Sequence, residues 1–186
     1  MKHNLFFWMF SYLLIFASCV NDLAEINRLF NESEAGVEIA TDVEIFYSDS
    51  AYVLVKIVGP TLMRYRDNFK PRDEFPDGLH VDFLNKSGTV NSTLDAKIGI
   101  RYNRDKIIIV RDSVILQNML GEKLETSELI WDENEQIVYT EKYVKIIKPD
   151  EIIFAYGFKA NQDFSEYELT AVQARIKMED FKEELN

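Results

Sequence analysis

Apolar and polar residues alternate with a period of two through most of the chain after residue 36. In the clearest run, residues 90–102, every second residue is almost always apolar and the residues between are almost always polar. Because neighbouring side chains of a strand point to opposite faces of a sheet, this pattern predicts strands with one buried face. The run is longer than an ordinary strand, so we predict a bend near Ala96 or Gly99.

Similar alternation recurs at residues 79–83, 152–158 and 172–178. Turn-forming segments rich in Gly, Pro, Asn and Asp separate these runs, which suits an antiparallel sandwich, roll or barrel. No apolar run with a helical period and core length follows residue 36. We therefore predict an all-β domain over residues 37–178, followed by a charged C-terminal tail at residues 179–186.

The N-terminus has a different character from this body. Lys2 precedes a mostly apolar run over residues 5–16, which would span roughly 18 Å as a helix. That length is short of the about 30 Å of a membrane hydrocarbon core. A basic start, a short apolar run and small residues before a cleavage point are typical of a secretory signal peptide, which we assign to residues 1–18.

Cys19, the only cysteine, directly follows Ala17 and Ser18 and resembles the lipobox of bacterial lipoproteins. We therefore predict lipid attachment at Cys19 and a lipidated tether over residues 19–36. The alternative is an ordinary signal peptide followed by a coincidental cysteine. Four apolar residues of the tether have the spacing of a short helix, which either packs on the body or belongs to a spacer: Leu23, Ile26, Leu29 and Phe30.

The charge and the residue inventory narrow the function. A formal net charge of −11 is unsuited to nucleic acid, because binding to phosphates relies on Lys and Arg. After the signal peptide the chain has one histidine, His80, on the polar side of its strand, and no thiol that is free of lipid. A Cys–His pair, a histidine-rich metal cluster and a Gly-x-Ser-x-Gly elbow are all lacking. We therefore expect no enzyme, no metal and no cofactor, although the many carboxylates leave a glycosidase pair open by count alone.

A longer motif occupies residues 112–132. Its pattern, Val-x-Leu-x-Asn-x-x-Gly-x-x-Leu-x-Thr-x-x-Leu-x-Trp-Asp, consists here of Val114, Leu116, Asn118, Gly121, Leu124, Thr126, Leu129, Trp131 and Asp132. This segment resembles the LptC family of periplasmic lipopolysaccharide-export proteins. Residues 150–165, with Gly157, are similar to the closing segment of that family. Residues 47–50 and 74–78 resemble its lipoprotein-type members, as in Bacteroidetes-like bacteria.

The resemblance implies an open antiparallel β-jellyroll with an apolar lumen for acyl chains. It also implies a periplasmic, non-enzymatic role between an inner-membrane lipopolysaccharide ABC transporter and the next jellyroll of a periplasmic bridge. Exposed edge strands of such a fold serve head-to-tail strand pairing. Many family members are held at the membrane by an N-terminal helix, whereas lipid on Cys19 would hold this chain. From the family role we expect that membrane to be the inner membrane.

The lumen candidates are the residues of the predicted apolar face: Leu79, Val81, Phe83, Leu94, Ile98, Ile100, Val114, Leu116, Phe154, Tyr156 and Phe158. A basic group could meet phosphates near a rim or could be a charged outer face: Lys97, Arg101, Arg104, Lys106 and Arg111. The rival function is a β-sandwich cell-envelope lipoprotein that binds glycans or proteins on its outer surface. A glycan binder should carry exposed aromatic residues on its loops, whereas here the aromatic residues mainly follow the strand alternation.

Overall fold

The computed structural model describes residues 36–49, 52–66 and 70–177. Eleven strands make up this part of the chain: β1 (Val37–Asp49), β2 (Tyr52–Tyr65), β3 (Arg72–Phe75), β4 (Leu79–Leu84), β5 (Val90–Ala96), β6 (Ile98–Tyr102), β7 (Ile107–Asn118), β8 (Lys123–Asp132), β9 (Ile137–Ile147), β10 (Glu151–Asn161) and β11 (Tyr167–Lys177). The predicted all-β body is confirmed. Cys19, the signal peptide, the tether helix and the charged tail lie outside the described residues, and those assignments stay predictions.

The strands form one antiparallel sheet in which the long strands β2 and β7 are connected by two short routes. The first half of β7 pairs with β6, and its second half pairs with β5. In the same way, β2 pairs with β4 through one half and with β3 through the other. From β7 the sheet continues through β8, β9 and β10 to β11, and on the far side of β2 it ends at β1. Within the described residues β1 and β11 each have one neighbour, so both are free edges.

Bulges bend the strands β7 and β10 near their middle. The pairing register shifts between Arg111 and Val114 in β7, and between Tyr156 and Phe158 in β10. Asp112, Ser113 and Gly157 take positive φ angles at these points. Because a bulge bends and twists its strand, the row of bulges lets the sheet curl until distant strands touch. The result is the predicted antiparallel β-jellyroll. No helix capable of crossing a membrane was found in the part of the chain that the structure describes.

The concave face of this sheet forms the core. Aliphatic residues from most strands lie fully buried there, among them Ile57, Val81, Leu94, Leu116, Leu129, Val138 and Ile146. The rings of Phe83 in β4 and Trp131 in β8 meet edge to face across the roll, with 5.0 Å between their centroids. Burial of each such side chain is worth about 1.5–3 kcal/mol, so apolar contact between the two sides holds the roll together.

The predicted bend in the run at residues 90–102 is confirmed, and it changes the alternation beyond it. β5 ends at Ala96 and β6 begins at Ile98. Between them the backbone N–H of Lys97 donates a hydrogen bond to the backbone carbonyl oxygen of Asp112 over 3.0 Å. Beyond the bend Gly99 faces the core, where an added Cβ would lie 2.9 Å from Leu79. Ile98 and Ile100 therefore lie on the outer face and are half-buried, and their predicted inward orientation is wrong.

The alternation in β10 is also different from the predicted one. Ile153 and Ala155 point into the core, so Phe154 and Tyr156 point outward, and Tyr156 is 51% exposed. The bulge at Gly157 then inverts the alternation and turns Phe158 inward. Of the three aromatic residues placed on the inner face by the sequence, only Phe158 lies there, and the assignment of Phe154 and Tyr156 is corrected.

Candidate functional site

Most of the predicted lumen residues lie together in the core of the roll. Seven share the concave face and are buried: Leu79, Val81, Phe83, Leu94, Val114, Leu116 and Phe158. The two edge strands, β1 and β11, extend the same apolar surface with inward residues that are partly exposed: Val43, Ile45, Tyr47, Tyr167 and Leu169. The interior is thus apolar from one edge strand to the other, which is the surface that an acyl chain would need.

One end of the roll opens into a cavity of about 360 Å³, here called the end cavity. It lies between the end of the β1–β2 hairpin and the turns before β7 and after β8. Its lining mixes core residues with polar groups of the turns: Tyr47, Ser48, Leu54, Val55, Lys106, Trp131, Glu133, Asn134, Gln136 and Gln162. The end cavity is therefore a boundary between the apolar interior and the polar surface.

A charged cluster stands beside the end cavity. Arg101 donates two hydrogen bonds to the carboxylate of Glu133, from Nε over 2.6 Å and from Nη2 over 2.9 Å. Its guanidinium carbon also lies 4.7 Å from the centre of the Tyr47 ring, which belongs to the edge strand β1. Burial raises the pKa of the Tyr47 hydroxyl, so this phenol stays neutral at physiological pH. Arg101 thus connects β1 to the opposite side of the roll.

A second ion pair has one deeply buried partner, Asp73. Arg64 donates to both carboxylate oxygens of Asp73, over 2.9 and 3.1 Å, and Asp73 is only 2% exposed. A buried charge is tolerated only when it is paired and hydrogen-bonded, a condition that this bidentate arrangement meets. These long-range pairs were missed in the sequence because they join residues of different strands.

The predicted basic group does not form one rim. Arg101 is committed to Glu133 at the end cavity, and Lys106 lies in the lining of that cavity. Arg111 instead pairs with Glu128 over 2.7 Å on an exposed surface. Lys97 is exposed at the bend between β5 and β6. The spacing in sequence therefore overstated how closely these cations gather.

Phe164 closes another part of the roll. This residue follows β10, is fully buried and packs on Phe158 and Tyr167, with ring centroids 5.5 and 5.4 Å away. Its φ of 54° is in the left-handed region, which a bulky residue rarely adopts. The Ser92 hydroxyl fixes the same loop by donating a hydrogen bond to the backbone carbonyl oxygen of Gln162 over 2.7 Å. The interior is thus sealed by an aromatic plug at this corner.

The remaining motif residues shape the backbone. Gly121 has a φ of 80° in the β7–β8 turn, which suits glycine. The Thr126 hydroxyl donates to the backbone carbonyl oxygen of Tyr143 over 2.9 Å, beside the register shift between β8 and β9. Gly157 forms the β10 bulge, and an added Cβ there would lie 2.6 Å from Thr170 Oγ1. Among the motif residues, Trp131 is the one that borders both the core and a cavity.

The outer face carries an aromatic cluster that the alternation did not predict. Tyr143 stacks on Phe154 with 6.1 Å between centroids, and meets Tyr156 edge to face at 5.3 Å. Tyr143 and Tyr156 are both exposed, and Tyr156 borders a surface cavity of about 410 Å³. The available signal was Gly157, because a glycine within a strand often marks a bulge.

Comparison with known proteins agrees with this architecture. A search of curated proteins finds no match. The family model described as "Lipopolysaccharide-assembly, LptC-related" matches residues 81–177, which is more than half of the chain and extends from β4 to the end of β11. The chain therefore belongs to the LptC-related family of lipopolysaccharide-assembly proteins.

Proposed function

We propose that this protein accepts lipopolysaccharide from an inner-membrane ABC transporter and passes it to the next periplasmic jellyroll. The observation that carries the proposal is the apolar concave face, which extends from one free edge strand to the other. The role is non-catalytic, because the energy for transport comes from ATP hydrolysis by the transporter. The protein contributes a path of low free energy for the acyl chains.

The acyl chains enter the roll by separating its two sides. The inward side chains pack on one another, as Phe83 and Trp131 do. Insertion of a chain replaces these contacts with contacts to the lipid, and each buried methylene contributes about 0.8 kcal/mol. In the described part of the sheet β1 pairs only with β2, and β11 only with β10. Movement of one edge away from the other therefore breaks no backbone pairing between them.

The free edges also provide the route of transfer. A strand of a partner jellyroll adds to an edge through backbone hydrogen bonds and continues the concave face from one protein into the next. The two edges stand at opposite ends of the strand order, which suits a head-to-tail chain of jellyrolls. Lipid on Cys19 would hold the first of them at the inner membrane. Because the net charge is −11, the affinity for an anionic lipid comes mainly from apolar contact.

A photo-crosslinking residue in place of Phe83 tests this function in cells. Phe83 is buried on the concave face, whereas Tyr156 is exposed on the outer face and serves as the matched aromatic control. We expect lipopolysaccharide adducts at position 83 that disappear when the transporter cannot hydrolyse ATP, and none at position 156. Adducts at position 156 or at the exposed Lys97, with a silent position 83, would contradict transport through the interior.

The outer aromatic cluster favours a second function, recognition of a glycan on the outer surface. Tyr143 and Tyr156 present exposed rings beside the half-buried Phe154, and the adjoining cavity offers polar groups from Glu141 and Thr170. Substitution of Tyr156 by Ser removes one ring without touching the interior. If glycan binding is the function, the parent protein is retained on immobilised lipid-free polysaccharide and Tyr156→Ser abolishes this retention. The photo-crosslinking residue at position 83 then captures no lipid.

A further inference from the structure

Trp131 has a buried hydrogen-bond donor without an acceptor. Its side chain is 3% exposed, and its indole Nε1 is shielded from solvent with no hydrogen-bond partner among the described residues. Buried polar groups in folded proteins are almost always paired, so each exception calls for an explanation. Shielding of the nitrogen from solvent also means that bulk water does not satisfy it.

The other buried polar side chains of the described residues are satisfied. The Asp73 carboxylate accepts a hydrogen bond from Arg64, and the Ser92 hydroxyl donates one to the backbone carbonyl oxygen of Gln162. The Asn118 side chain has several backbone partners. The Thr140 hydroxyl oxygen accepts from the Lys142 N–H over 3.1 Å. The unpaired indole is therefore a local feature of Trp131 and no general property of this core.

Trp131 stands where the apolar interior meets the end cavity. It lies near the end of β8, where its strand neighbours are the buried Ile108 and Val138. One side of its ring contacts Phe83, and the residue also lines the end cavity with the polar Lys106 and Gln136. A lipid that places its chains along the inner face and its headgroup in the end cavity would bring the junction between the two next to Trp131.

We propose that the indole N–H of Trp131 donates a hydrogen bond to the carbonyl oxygen of the ester or amide bond that joins an acyl chain to its headgroup. This inference rests on the proposed function, because it places acyl chains in the interior. The carbonyl stands at the boundary between hydrocarbon and polar group, as the amphipathic indole does. A neutral carbonyl also enters a buried position more readily than a phosphate, whose charge would have to be desolvated.

The pairing of Arg101 supports a neutral acceptor. Arg101 already makes two hydrogen bonds with Glu133, and the carboxylate of that pair lines the end cavity. An anion at Trp131 would approach this carboxylate, whereas a carbonyl oxygen carries no net charge. The geometry therefore assigns Trp131 to the linkage of the lipid and leaves the phosphates to the solvent-facing side of the cavity.

The test uses the indole proton as its own reporter. The chain has two tryptophans, so Trp8→Phe in the full chain leaves Trp131 as the only indole N–H. The ¹⁵N-labelled protein is kept in an alkyl maltoside, a detergent without carbonyl groups. We add lipopolysaccharide, a diacyl phospholipid with ester linkages, or the ether-linked phospholipid with the same headgroup and chain length. All three lipids change the ring contact between Phe83 and Trp131, so the ether lipid gives the baseline shift. We expect the indole proton to lie further downfield with the first two lipids than with the ether lipid.

A variant gives an independent measurement of the same contact. Trp131→Phe keeps an aromatic ring but removes the donor, and we expect about three- to tenfold weaker binding of the ester lipid. Binding of the ether lipid is the internal control, since loss of ring volume affects both lipids alike. Equal weakening for the two lipids would overturn the hydrogen bond, and so would equal indole shifts.

Failure of this inference can be told apart from failure of the proposed function. A parallel sample carries a photo-crosslinking residue at position 83, so that the contact between Phe83 and Trp131 stays native in the sample used for the indole shift. Lipopolysaccharide captured there with an indole proton no further downfield than with the ether lipid overturns the role of Trp131 and leaves lipid transport intact. No capture and no indole shift overturns both, because the interior then holds no acyl chain.

Discussion

The side-chain amide of Asn118 donates a hydrogen bond to the backbone oxygen of Phe164 over 3.1 Å and so joins the β7–β8 turn to the loop after β10. The side-chain oxygen of Asn118 also accepts from the N–H groups of Leu120 and Glu122, each over 3.0 Å. Asn118 is almost fully buried. One motif residue therefore satisfies three backbone groups and holds the aromatic plug in place.

Replacement of Asn118 by Ala should destabilise the fold by about 2 kcal/mol, because it leaves a buried carbonyl and two turn N–H groups without partners. Urea unfolding of the purified protein measures this change. Asn134→Ala is the control, since Asn134 is exposed in a turn and its loss should stay within about 0.5 kcal/mol. Equal losses for the two variants would mean that Asn118 does not secure the plug.

The bulge at Gly157 should be intolerant of a side chain. Gly157→Ala combines a φ of 74° with an added Cβ 2.6 Å from Thr170 Oγ1. Gly88→Ala is a matched control, because Gly88 has a φ of 80° and no atom within 4 Å of the added Cβ. We expect about 1 kcal/mol of destabilisation at Gly88 from the backbone alone and a clearly larger loss at Gly157.

Thermal or urea unfolding of both glycine variants gives the comparison. If Gly157→Ala costs no more than Gly88→Ala, the close approach of β11 to the bulge is not part of the native packing. A larger loss would support the bulge as the feature that turns Phe158 inward and Tyr156 outward.

The inner and outer faces of the strands show where prediction from the sequence succeeds and where it fails. Alternation placed Val81, Leu94 and Leu116 on the inner face correctly, because each of them lies in a stretch of strand whose pairing register is unbroken. It failed for Ile100 and Tyr156, since a bend or a bulge inverts the two faces of a strand. Alternation along the sequence does not show at which residue a bend or a bulge exchanges the inward and outward positions.

The site residues that the sequence did not reveal depend on contacts between distant strands. Arg101 and Glu133 are 32 residues apart and come together because β6 and β8 flank the same strand, β7. The spacing along the chain instead grouped Arg101 with Arg111, which lies on an exposed surface beside Glu128. Trp131 was recognised as a motif residue, but its unpaired donor emerges only from the packed structure.

The pH dependence of stability should contain a contribution from His80. Its Nδ1 lies 2.7 Å from an Asp95 carboxylate oxygen, and its Nε2 lies 3.1 Å from Asp82. Burial acts to lower the pKa of His80, but the two carboxylates outweigh it and raise the pKa above its ordinary value. Folding therefore favours the protonated imidazole.

This contribution is fully present below the ordinary pKa of about 6.5 and is lost as the pH rises through the raised value. The free energy of unfolding of His80→Gln, measured by urea at about pH 5 and about pH 9, provides the check. We expect the variant to be less stable than the parent protein mainly at the acidic pH. A difference of the same size at both values would show that the protonated imidazole is not favoured by the fold.

The edge strand β11 should contact a partner jellyroll, because strand addition needs an edge whose backbone groups are unpaired. Ala174 in β11 and Ser127 in β8 are both exposed, but β8 is paired on both sides. A photo-crosslinking residue at position 174 should capture a periplasmic jellyroll protein in cells, and one at position 127 should not. The same comparison applies to the other edge, with Thr41 of β1 as the exposed position. Capture at position 127 alone would contradict transfer by strand pairing, since that position is reached only by a partner lying on the face of the sheet.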